Sequence, residues 1–203
     1  MADSAAARLP LVLLGGGGHC KACVDVVEAA GRWEILGILD LPARVGERVL
    51  GYSIVGTDER VAEFAAVGAS FLVSIGQIGT AALRRRAYER IRAAGAALAT
   101  VVSPLAYVSP SAAVGPGSIV MHRAVVNAGA TIGRNVIINT MALVEHDARV
   151  DDHCHVATAA VVNGAAAIGA GSFVGSNAVV VQGAVVPDDS FIAAGTLFRQ
   201  PRT

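Results

Sequence analysis

The chain has 203 residues, with sixteen basic and sixteen acidic side chains, so its formal net charge is zero. A neutral chain has no field that would attract nucleic acid or an anionic membrane surface, and no apolar run is long enough to span a bilayer. The three cysteines indicate no disulfide framework and the first residues lack the basic segment of a signal peptide, so we expect a cytoplasmic protein without nucleic-acid or membrane partners.

Alternating strand and helix patterns fill the first half of the chain. The run "LPLVLL" at 9–14 predicts a strand, which is followed by the glycine turn "GGGG" and a helical stretch. Further strands are predicted at 34–40, 70–76 and 97–102, with helices near 57–67 and 80–95. Such alternation is typical of a parallel sheet of Rossmann type, so we predict an α/β, Rossmann-like domain over residues 1–104.

The glycine turn at Gly15–Gly18 predicts a phosphate site, because glycines let a ligand's phosphates approach the backbone N–H groups at a helix start. The dinucleotide spacing Gly-x-Gly-x-x-Gly fails, since Cys20 or Lys21 stands where the third glycine belongs. Asp40, at the end of the second strand, lies where a contact to a ribose or a base is expected. The pattern therefore favours a nucleotide other than NAD, and a glycine turn without a ligand is the alternative.

Two other motifs of the first half are interpreted as structural. Cys20 and Cys23 have the spacing of a redox pair, but cysteine is also a small apolar residue suited to a helix packed on a sheet. The basic run Arg84–Arg86 lies in an alanine-rich helical stretch, and we expect it to form a solvated helix face. Neither motif is expected to take part in chemistry.

The second half of the chain repeats with a period of six residues. Every sixth position from Val108 to Ile192 is Val or Ile, and the position four residues after each is small at every repeat except Val136. No α-helix keeps a six-residue period on one face, whereas a parallel β-helix closes one coil with three such hexads. We predict a β-helix of five coils over residues 105–203, with the aliphatic and the small residues pointing inward.

The segment "VEHDARVDDHCHVA" at 144–157 contains ligands that zinc prefers, but the hexad phase separates them. His146 is the third residue of its hexad, His155 is the last before the next aliphatic position, and Cys154 lies in the small inward column. His153 is expected to be a solvated turn residue. One subunit cannot readily bring the three histidines together, so we expect no metal; contacts across a trimer axis are the arrangement that would allow zinc.

The hexad pattern resembles the hexapeptide-repeat family of left-handed β-helices, most of which are trimeric acyltransferases that use acetyl-CoA or a related thioester. The succession of "GGGGH", "SIG" and "SPLAYVSPSAAVG" before the repeats, and the stretch "INTMALVEHDARVDDHCHVA" within them, resembles the sugar acetyltransferases in particular. That family includes the bacillosamine-pathway N-acetyltransferase, GDP-perosamine N-acetyltransferase and the sialic acid O-acetyltransferases. The resemblance covers nearly the whole chain and implies active sites between adjacent subunits of a homotrimer.

The resemblance also implies roles for individual residues. His146 resembles the general base, Asp147 the acid that raises its basicity, and His155 a histidine that contacts acetyl-CoA. The residues that resemble positions holding the nucleotide sugar are Gly17, Gly18, His19, Asp40, Gly76 and Asn139. The chain departs from the family in Asp147 where Glu is frequent, in Leu41 where some members have a second acid, and in a short tail after the last repeat.

Positions eighteen residues apart stack on successive coils, which gives two further predictions. Gly164 lies above His146, so we expect open space for a thioester there and a backbone N–H that binds the oxyanion. Thr158, Ser176 and Ala194 form a column of small residues suited to the pantetheine arm. In the resemblance, the positions of Ser176 and Ala194 contact the coenzyme as well.

We therefore predict an acetyl-CoA-dependent N-acetyltransferase that acts on the amino group of a nucleotide-linked amino-deoxysugar, such as a UDP- or GDP-4-amino-4,6-dideoxysugar of the perosamine type. Acetyl-CoA is the cosubstrate, transfer is direct, and no metal is required. Two alternatives stay open: an O-acetyltransferase for a sialic acid-type hydroxyl, and a non-catalytic hexapeptide-repeat binding or scaffold protein with metal at the trimer axis. The sequence leaves the base, the sugar and the acceptor position open.

Overall fold

A computed structural model describes residues 7–200, and the N-terminal half of this part is an α/β sheet. Its strands are β1 (Leu9–Leu14), β2 (Trp33–Leu39), β3 (Arg48–Val49), β4 (Tyr52–Gly56), β5 (Ser70–Val73) and β6 (Ala97–Leu98). Its helices are α1 (Gly18–Ala30), α2 (Val61–Ala66) and α3 (Ala82–Ala93), with short 3-10 turns at Pro42–Arg44 and Asp58–Arg60. The strand order is β3-β4-β2-β1-β5-β6, and only the β3–β4 pair is antiparallel, which confirms the Rossmann-like α/β fold.

The central strand β1 is buried on both faces of this sheet. Leu11 and Leu13 pack with α1 in one apolar cluster, while Val12 and Leu14 pack on the opposite face with α3. A strand covered on both sides needs a continuous apolar run, which explains the sequence "LPLVLL". No helix within residues 7–200 is long and apolar enough to cross a membrane.

The second half of the chain is a left-handed parallel β-helix whose strands pair eighteen residues apart, as Ile119 does with Ile137. Its strands are β7 (Val101–Val102), β8 (Tyr107–Val108), β9 (Ala113–Val114), β10 (Ile119–Val120), β11 (Val125–Val126), β12 (Thr131–Ile132), β13 (Ile137–Ile138), β14 (Leu143–Val144), β15 (Arg149–Val150), β16 (His155–Val156), β17 (Val161–Val162), β18 (Ala167–Ile168), β19 (Phe173–Val174), β20 (Val179–Val180), β21 (Val185–Val186), β22 (Phe191–Ile192) and β23 (Leu197–Phe198).

Every third strand stacks in one sheet, and the three sheets form the sides of a prism. We name them face 1 (β7, β10, β13, β16, β19 and β22), face 2 (β8, β11, β14, β17, β20 and β23) and face 3 (β9, β12, β15, β18 and β21). The turns that connect successive faces are corner 1–2, corner 2–3 and corner 3–1.

The interior of the prism consists of the two predicted columns. One apolar cluster contains aliphatic residues such as Val144 and Val162 together with small residues such as Ala142 and Ala160. Side chains of equal phase stack on every coil, so the inward orientation predicted from the hexad is confirmed.

The predicted strand at 97–102 divides between the two halves. β6 pairs with β5 of the N-terminal sheet, whereas β7 pairs with β10 of face 1. Val102 lies six residues before Val108 and so has the phase of the hexad repeat. The repeat therefore begins one hexad earlier than we predicted, and the division of the chain at residue 104 stays a prediction.

Helix α1 lies on face 1 and joins the two halves through an apolar cluster. Cys20 and Cys23 of the helix share this cluster with Ile119, Met121 and Ile137 of the β-helix. Both thiols are free and buried, and burial raises the pKa of each above its ordinary value. A reactive thiol needs the opposite shift, so the structure supports the interpretation of the pair as packing residues.

The basic run Arg84–Arg86 forms the solvated helix face that we expected only at Arg86, which is exposed. Arg84 is only 1% exposed, and its guanidinium donates hydrogen bonds to the carbonyl oxygen of Ile75 at 2.6 Å and to the backbone and side-chain oxygens of Asn135 at 2.8 and 2.9 Å. Burial lowers the pKa of Arg84 to about 10. For Arg84 the expectation was wrong, because the start of α3 lies against corner 3–1, which carries Asn135.

Replacing Arg84 with Met should lower the free energy of unfolding by at least about 2 kcal/mol, because the oxygens of Ile75 and Asn135 would lose a charged donor inside the protein. Urea titration followed by circular dichroism measures the change. Arg92→Met is the matched control, since Arg92 is exposed on the same helix, and its effect should stay within about 0.5 kcal/mol. Equal effects of the two substitutions would contradict the structural role of Arg84.

Candidate active site

His146 and Asp147 form a hydrogen-bonded pair at corner 2–3. The side chain of His146 is 57% exposed, and its Nδ1 lies 2.9 Å from Oδ2 of Asp147. Asp147 has a left-handed backbone angle, φ 58°, at the turn of the corner. Its carboxylate raises the pKa of His146 above the ordinary value. Because the carboxylate accepts the Nδ1 hydrogen, the lone pair of the neutral ring is on Nε2, where it can take a proton from a substrate.

Gly164 stacks on His146 one coil further along. A Cβ at Gly164 would lie 2.7 Å from Nε2 of His146, so only glycine lets the imidazole ring lie there. The expectation of open space beside the base is therefore wrong, because the ring itself fills that space. The N–H of Gly164 donates no hydrogen bond within residues 7–200, so it stays available for an oxyanion next to the base.

The residues predicted to bind the coenzyme arm lie at corner 1–2, across face 2 from the base. Ser176 and Ala194 lie at this corner on successive coils, and Asn139, which was predicted to hold the nucleotide sugar, follows β13 at the same corner. The hexad count requires this separation, since Asn139 follows face 1 whereas His146 follows face 2. Within one chain the structure places Gly164, but neither Ser176 nor Ala194, next to His146.

His155 lies on face 1 beneath the N-terminal half and is 7% exposed. Its Nδ1 lies 2.9 Å from the carbonyl oxygen of Gln77, and its Nε2 lies 3.0 Å from Nδ2 of Asn139. Phe173 meets the ring edge to face, with centroids 5.2 Å apart. Burial lowers the pKa of His155 to about 4, so the imidazole is neutral near neutral pH. Neither Gln77 nor Phe173 was predicted from the sequence, although the motif "SIG" ends one residue before Gln77.

A cavity of about 680 Å³ opens at the carboxyl ends of β1 and β2. Gly15, Asp40 and Arg86 are among the residues that line it. The carboxylate of Asp40 accepts hydrogen bonds from the N–H of Gly16 at 2.8 Å and from Arg44 at 2.6 Å. Asp40 therefore holds the glycine turn in place at the wall of the cavity.

Gly17 and Gly18 form the exposed start of α1. Gly17 is the N-cap residue, and no acidic side chain occupies the first turn of the helix. A Cβ on either glycine would meet nothing within 4 Å. The first N–H groups of a helix have no intrahelical partner, so this end of α1 suits a phosphate group.

His19 lies between the glycine turn and His155. A Cβ on Gly76 would lie 3.2 Å from Cβ of His19, which leaves little room for a side chain at Gly76. The ring centroids of His19 and His155 are 6.2 Å apart. Nε2 of His19 is buried without a hydrogen-bond partner in the described part of the chain, and burial lowers the pKa of His19 to about 3. The structure thus brings His19, Gly76 and His155 together between the two halves.

His153 is not the solvated residue that we expected, although it does lie in a turn. It is half-buried at corner 3–1, and its ring meets that of Tyr88 edge to face with centroids 5.1 Å apart. Its Nδ1 lies 2.9 Å from the side-chain nitrogen of Asn135. Helix α3 covers the turn, which the hexad phase does not reveal. Within residues 7–200, no group of three or more His, Cys, Asp or Glu side chains could hold a metal ion.

Known proteins match both the N-terminal half and the chain as a whole. Residues 10–91 match the family described as the PglD N-terminal domain. No curated protein matches the sequence. The solved acetyltransferase domain of PglB from Neisseria gonorrhoeae FA1090 is 32% identical, with a TM-score of 0.87 over 95% of this chain and 92% of that chain. The same domain in complex with acetyl coenzyme A is 33% identical, with a TM-score of 0.85 over 93% of this chain and 90% of that chain.

A second similar structure is a mutant of perosamine N-acetyltransferase from Caulobacter crescentus in complex with CoA and GDP-perosamine. It is 32% identical, with a TM-score of 0.87 over 96% of this chain and 90% of that chain. The prism, the Rossmann-like half and these relatives together define a hexapeptide-repeat acyltransferase. The chain belongs to the family of sugar N-acetyltransferases, as the resemblance of its motifs predicted.

His146→Asn should keep the fold and lower turnover by about 10²–10⁴-fold, the usual contribution of a positioned general base. A base must be deprotonated to act, so the wild-type rate should rise with pH. Its midpoint should lie above the ordinary value of about 6.5, because Asp147 stabilises the charged imidazole. Asp147→Asn removes that carboxylate and should move the midpoint down. Rates of acetyl transfer from about pH 5 to about pH 9 measure both effects.

His153→Asn is the matched control, because it makes the same change at a different corner of the prism. Its rate should stay within a few-fold of wild type and its pH midpoint should not move. Equal losses in His146→Asn and His153→Asn, or an unchanged midpoint in Asp147→Asn, would exclude the assignment of His146 as the base.

Proposed function

We propose that the protein transfers the acetyl group of acetyl-CoA to the amino group of a nucleotide-linked amino-deoxysugar, in the cytoplasm. The observation that carries this proposal is the His146–Asp147 pair, with Nε2 of His146 beside the backbone of Gly164. The relatives support the substrates, since the PglB domain was solved with acetyl coenzyme A and perosamine N-acetyltransferase with CoA and GDP-perosamine. Three free, buried cysteines fit the reducing conditions of the cytoplasm.

The reaction needs one base and one oxyanion site. The amine nitrogen attacks the thioester carbonyl carbon while Nε2 of His146 takes its proton. The carbonyl oxygen becomes an oxyanion that the N–H of Gly164 stabilises, and Asp147 stabilises the imidazolium. The carbon–sulfur bond then breaks, and the departing thiolate takes the proton back from His146. The products are an amide and free CoA, and no nucleophilic side chain is required because a thioester is already activated.

We propose that the coenzyme lies along corner 2–3, from His146 toward the C-terminal coil. Gly164, Gln182 and Gln200 follow His146 at intervals of eighteen residues and so lie at the same corner on successive coils. A cavity of about 840 Å³ lies beside the last of these coils, lined by Gln182, Gln200 and Arg199. In our proposal the thioester carbonyl oxygen faces the N–H of Gly164, and the phosphates of the coenzyme lie near the guanidinium of Arg199.

The nucleotide sugar occupies the cavity of the N-terminal half in our proposal. Gly17 and Gly18 direct backbone N–H groups at its phosphates, and Asp40 contacts the ribose or the base. His19, which lies against Gly76 and near His155, borders the sugar in our proposal. Binding energy from the nucleotide then serves to align the acceptor amine with the thioester.

We further propose a homotrimer whose active sites lie between neighbouring copies. Corner 2–3 carries the base and corner 1–2 carries Asn139, Ser176 and Ala194, so no single prism contains the whole site. Face 2 joins these corners and presents apolar side chains that a neighbour would cover: Tyr107, Val125, Leu143, Val161, Val179 and Leu197. A contiguous apolar surface of this kind marks an interface, and copies of one chain associate symmetrically.

Incubation with acetyl-CoA and a UDP- or GDP-4-amino-4,6-dideoxysugar should release free CoA and add one acetyl group to the sugar nucleotide. Thiol titration and mass spectrometry measure the two products. The matched control is the same sugar nucleotide with a hydroxyl group in place of the amine, which should not react. Acetylation of a sialic acid hydroxyl instead would contradict N-transfer, and binding without thiol release would favour a scaffold.

Mixed oligomers test whether two copies share one site. His146→Ala and Asn139→Ala should each remove most of the activity, because each substitution disables one side of the site. In trimers assembled at random from both variants, about a quarter of the interfaces combine an intact His146 with an intact Asn139, so activity should return to about that fraction. Co-expression with two tags, light scattering and rate measurements test this. A monomer mass, or no recovery in mixed trimers, would contradict the shared site.

A further inference from the structure

His155 resembles a histidine that contacts acetyl-CoA, yet in this structure protein surrounds it. The side chain is 7% exposed and lies between Phe173 and the backbone of Gln77. Both ring nitrogens already have protein partners, at 2.9 and 3.0 Å. A neutral imidazole has one donor and one acceptor, so no hydrogen-bonding capacity is left for a coenzyme. The contacts of His155 therefore indicate a different task.

These hydrogen bonds define the tautomer of His155. A carbonyl oxygen only accepts, so Nδ1 carries the hydrogen that is donated to Gln77. Nε2 is then the acceptor, and Nδ2 of Asn139 donates to it. At the other end of the same amide, Oδ1 of Asn139 accepts from the N–H of Thr140 at 2.7 Å. Together the bonds hold the amide of Asn139 in one orientation.

The other end of this chain of hydrogen bonds lies in the N-terminal half, in the loop beside the cavity proposed for the nucleotide. Gln77 is itself held against the β-helix, because its Nε2 donates to the carbonyl oxygens of Gly171 and Ser172 at 3.0 and 3.4 Å. Ile75, two residues earlier in the same loop, lines the cavity of about 680 Å³. The loop that borders the nucleotide cavity therefore carries the carbonyl group that orients His155.

We propose that His155 is a positioning residue that transmits the placement of the Ile75–Gln77 loop to Asn139, which in turn orients the acceptor sugar for the base. This inference rests on the proposed function and on the resemblance by which Asn139 is expected to hold the nucleotide sugar. In this proposal His155 affects how the amino sugar is held and has no effect on how the coenzyme binds. The imidazole stays neutral over the range of activity, so the relay keeps one tautomer throughout.

Two substitutions at His155 separate the relay from simple packing. Phe fills the space against Phe173 but offers no nitrogen, so Gln77 and Asn139 both lose a partner. Gln keeps both, since its amide nitrogen donates and its amide oxygen accepts. His155→Phe should lower kcat/KM for the amino sugar nucleotide by about 10- to 100-fold and change KM for acetyl-CoA by less than about twofold. His155→Gln should restore kcat/KM to within about fivefold of wild type.

A second background tests whether His155 acts through Asn139. In Asn139→Ala, the further substitution His155→Phe should cause no additional loss of kcat/KM, because a positioning residue has no effect once its target is gone. Additive losses in the double variant would overturn the proposal. So would a rise in KM for acetyl-CoA in His155→Phe, or a His155→Gln variant as impaired as His155→Phe.

Nitrogen-15 NMR tests the relay without any reaction, and its first readout, the tautomer of His155, needs only the wild-type protein. The His155 ring should carry its hydrogen on Nδ1, and the side-chain amide of Asn139 should shift in His155→Gln. An Nε2–H tautomer would overturn the relay. A wild-type protein that shows the Nδ1–H tautomer but acetylates no amino sugar would support the hydrogen-bonded relay and contradict the proposed function.

Discussion

The stacking of coils at a fixed interval of eighteen residues is the constraint on which the rest of the structure depends. Strands pair at this interval, as His155 does with Phe173, so each side chain has the direction of its counterpart on the next coil. The interior then needs one branched aliphatic and one small residue in every hexad. The same interval decides which residues share a corner, as His146 and Gly164 do. The geometry of the site is in this sense a consequence of how the core packs.

This regularity explains how much of the fold could be predicted. The hexad phase placed Cys154 in the inward column, and the residue is buried in the interior cluster. It also placed Gly164 above His146. Counting could not reveal the orientation of the His146 ring, because the side-chain torsions of an exposed residue are not determined by the repeat. The six-residue period does not indicate what individual residues do, so their expected roles came from the resemblance of the motifs.

The contacts between the two halves could not be predicted, because they join segments that share no sequence pattern. Arg84 belongs to a basic run, yet it is buried against corner 3–1. His153 lies in a turn, yet Tyr88 covers it. His122 lies in a turn at corner 1–2, yet its Nε2 lies 3.0 Å from Oδ2 of Asp25 in α1. Each of these side chains is of a polar type that usually lies at the protein surface. Only the folded structure shows which of them another segment of the chain covers.

Corner 2–3, which carries His146, also sets the length of the proposed coenzyme site. Neighbouring strands of a sheet lie about 4.8 Å apart, so each coil beyond Gly164 lengthens the groove by one such step. Gln200 lies two coils beyond Gly164, which is about 10 Å along the prism. The distance from the reacting thioester to the charged end of its carrier is therefore a whole number of coil spacings. A chain with one coil more or one coil fewer would be set for a carrier of a different length.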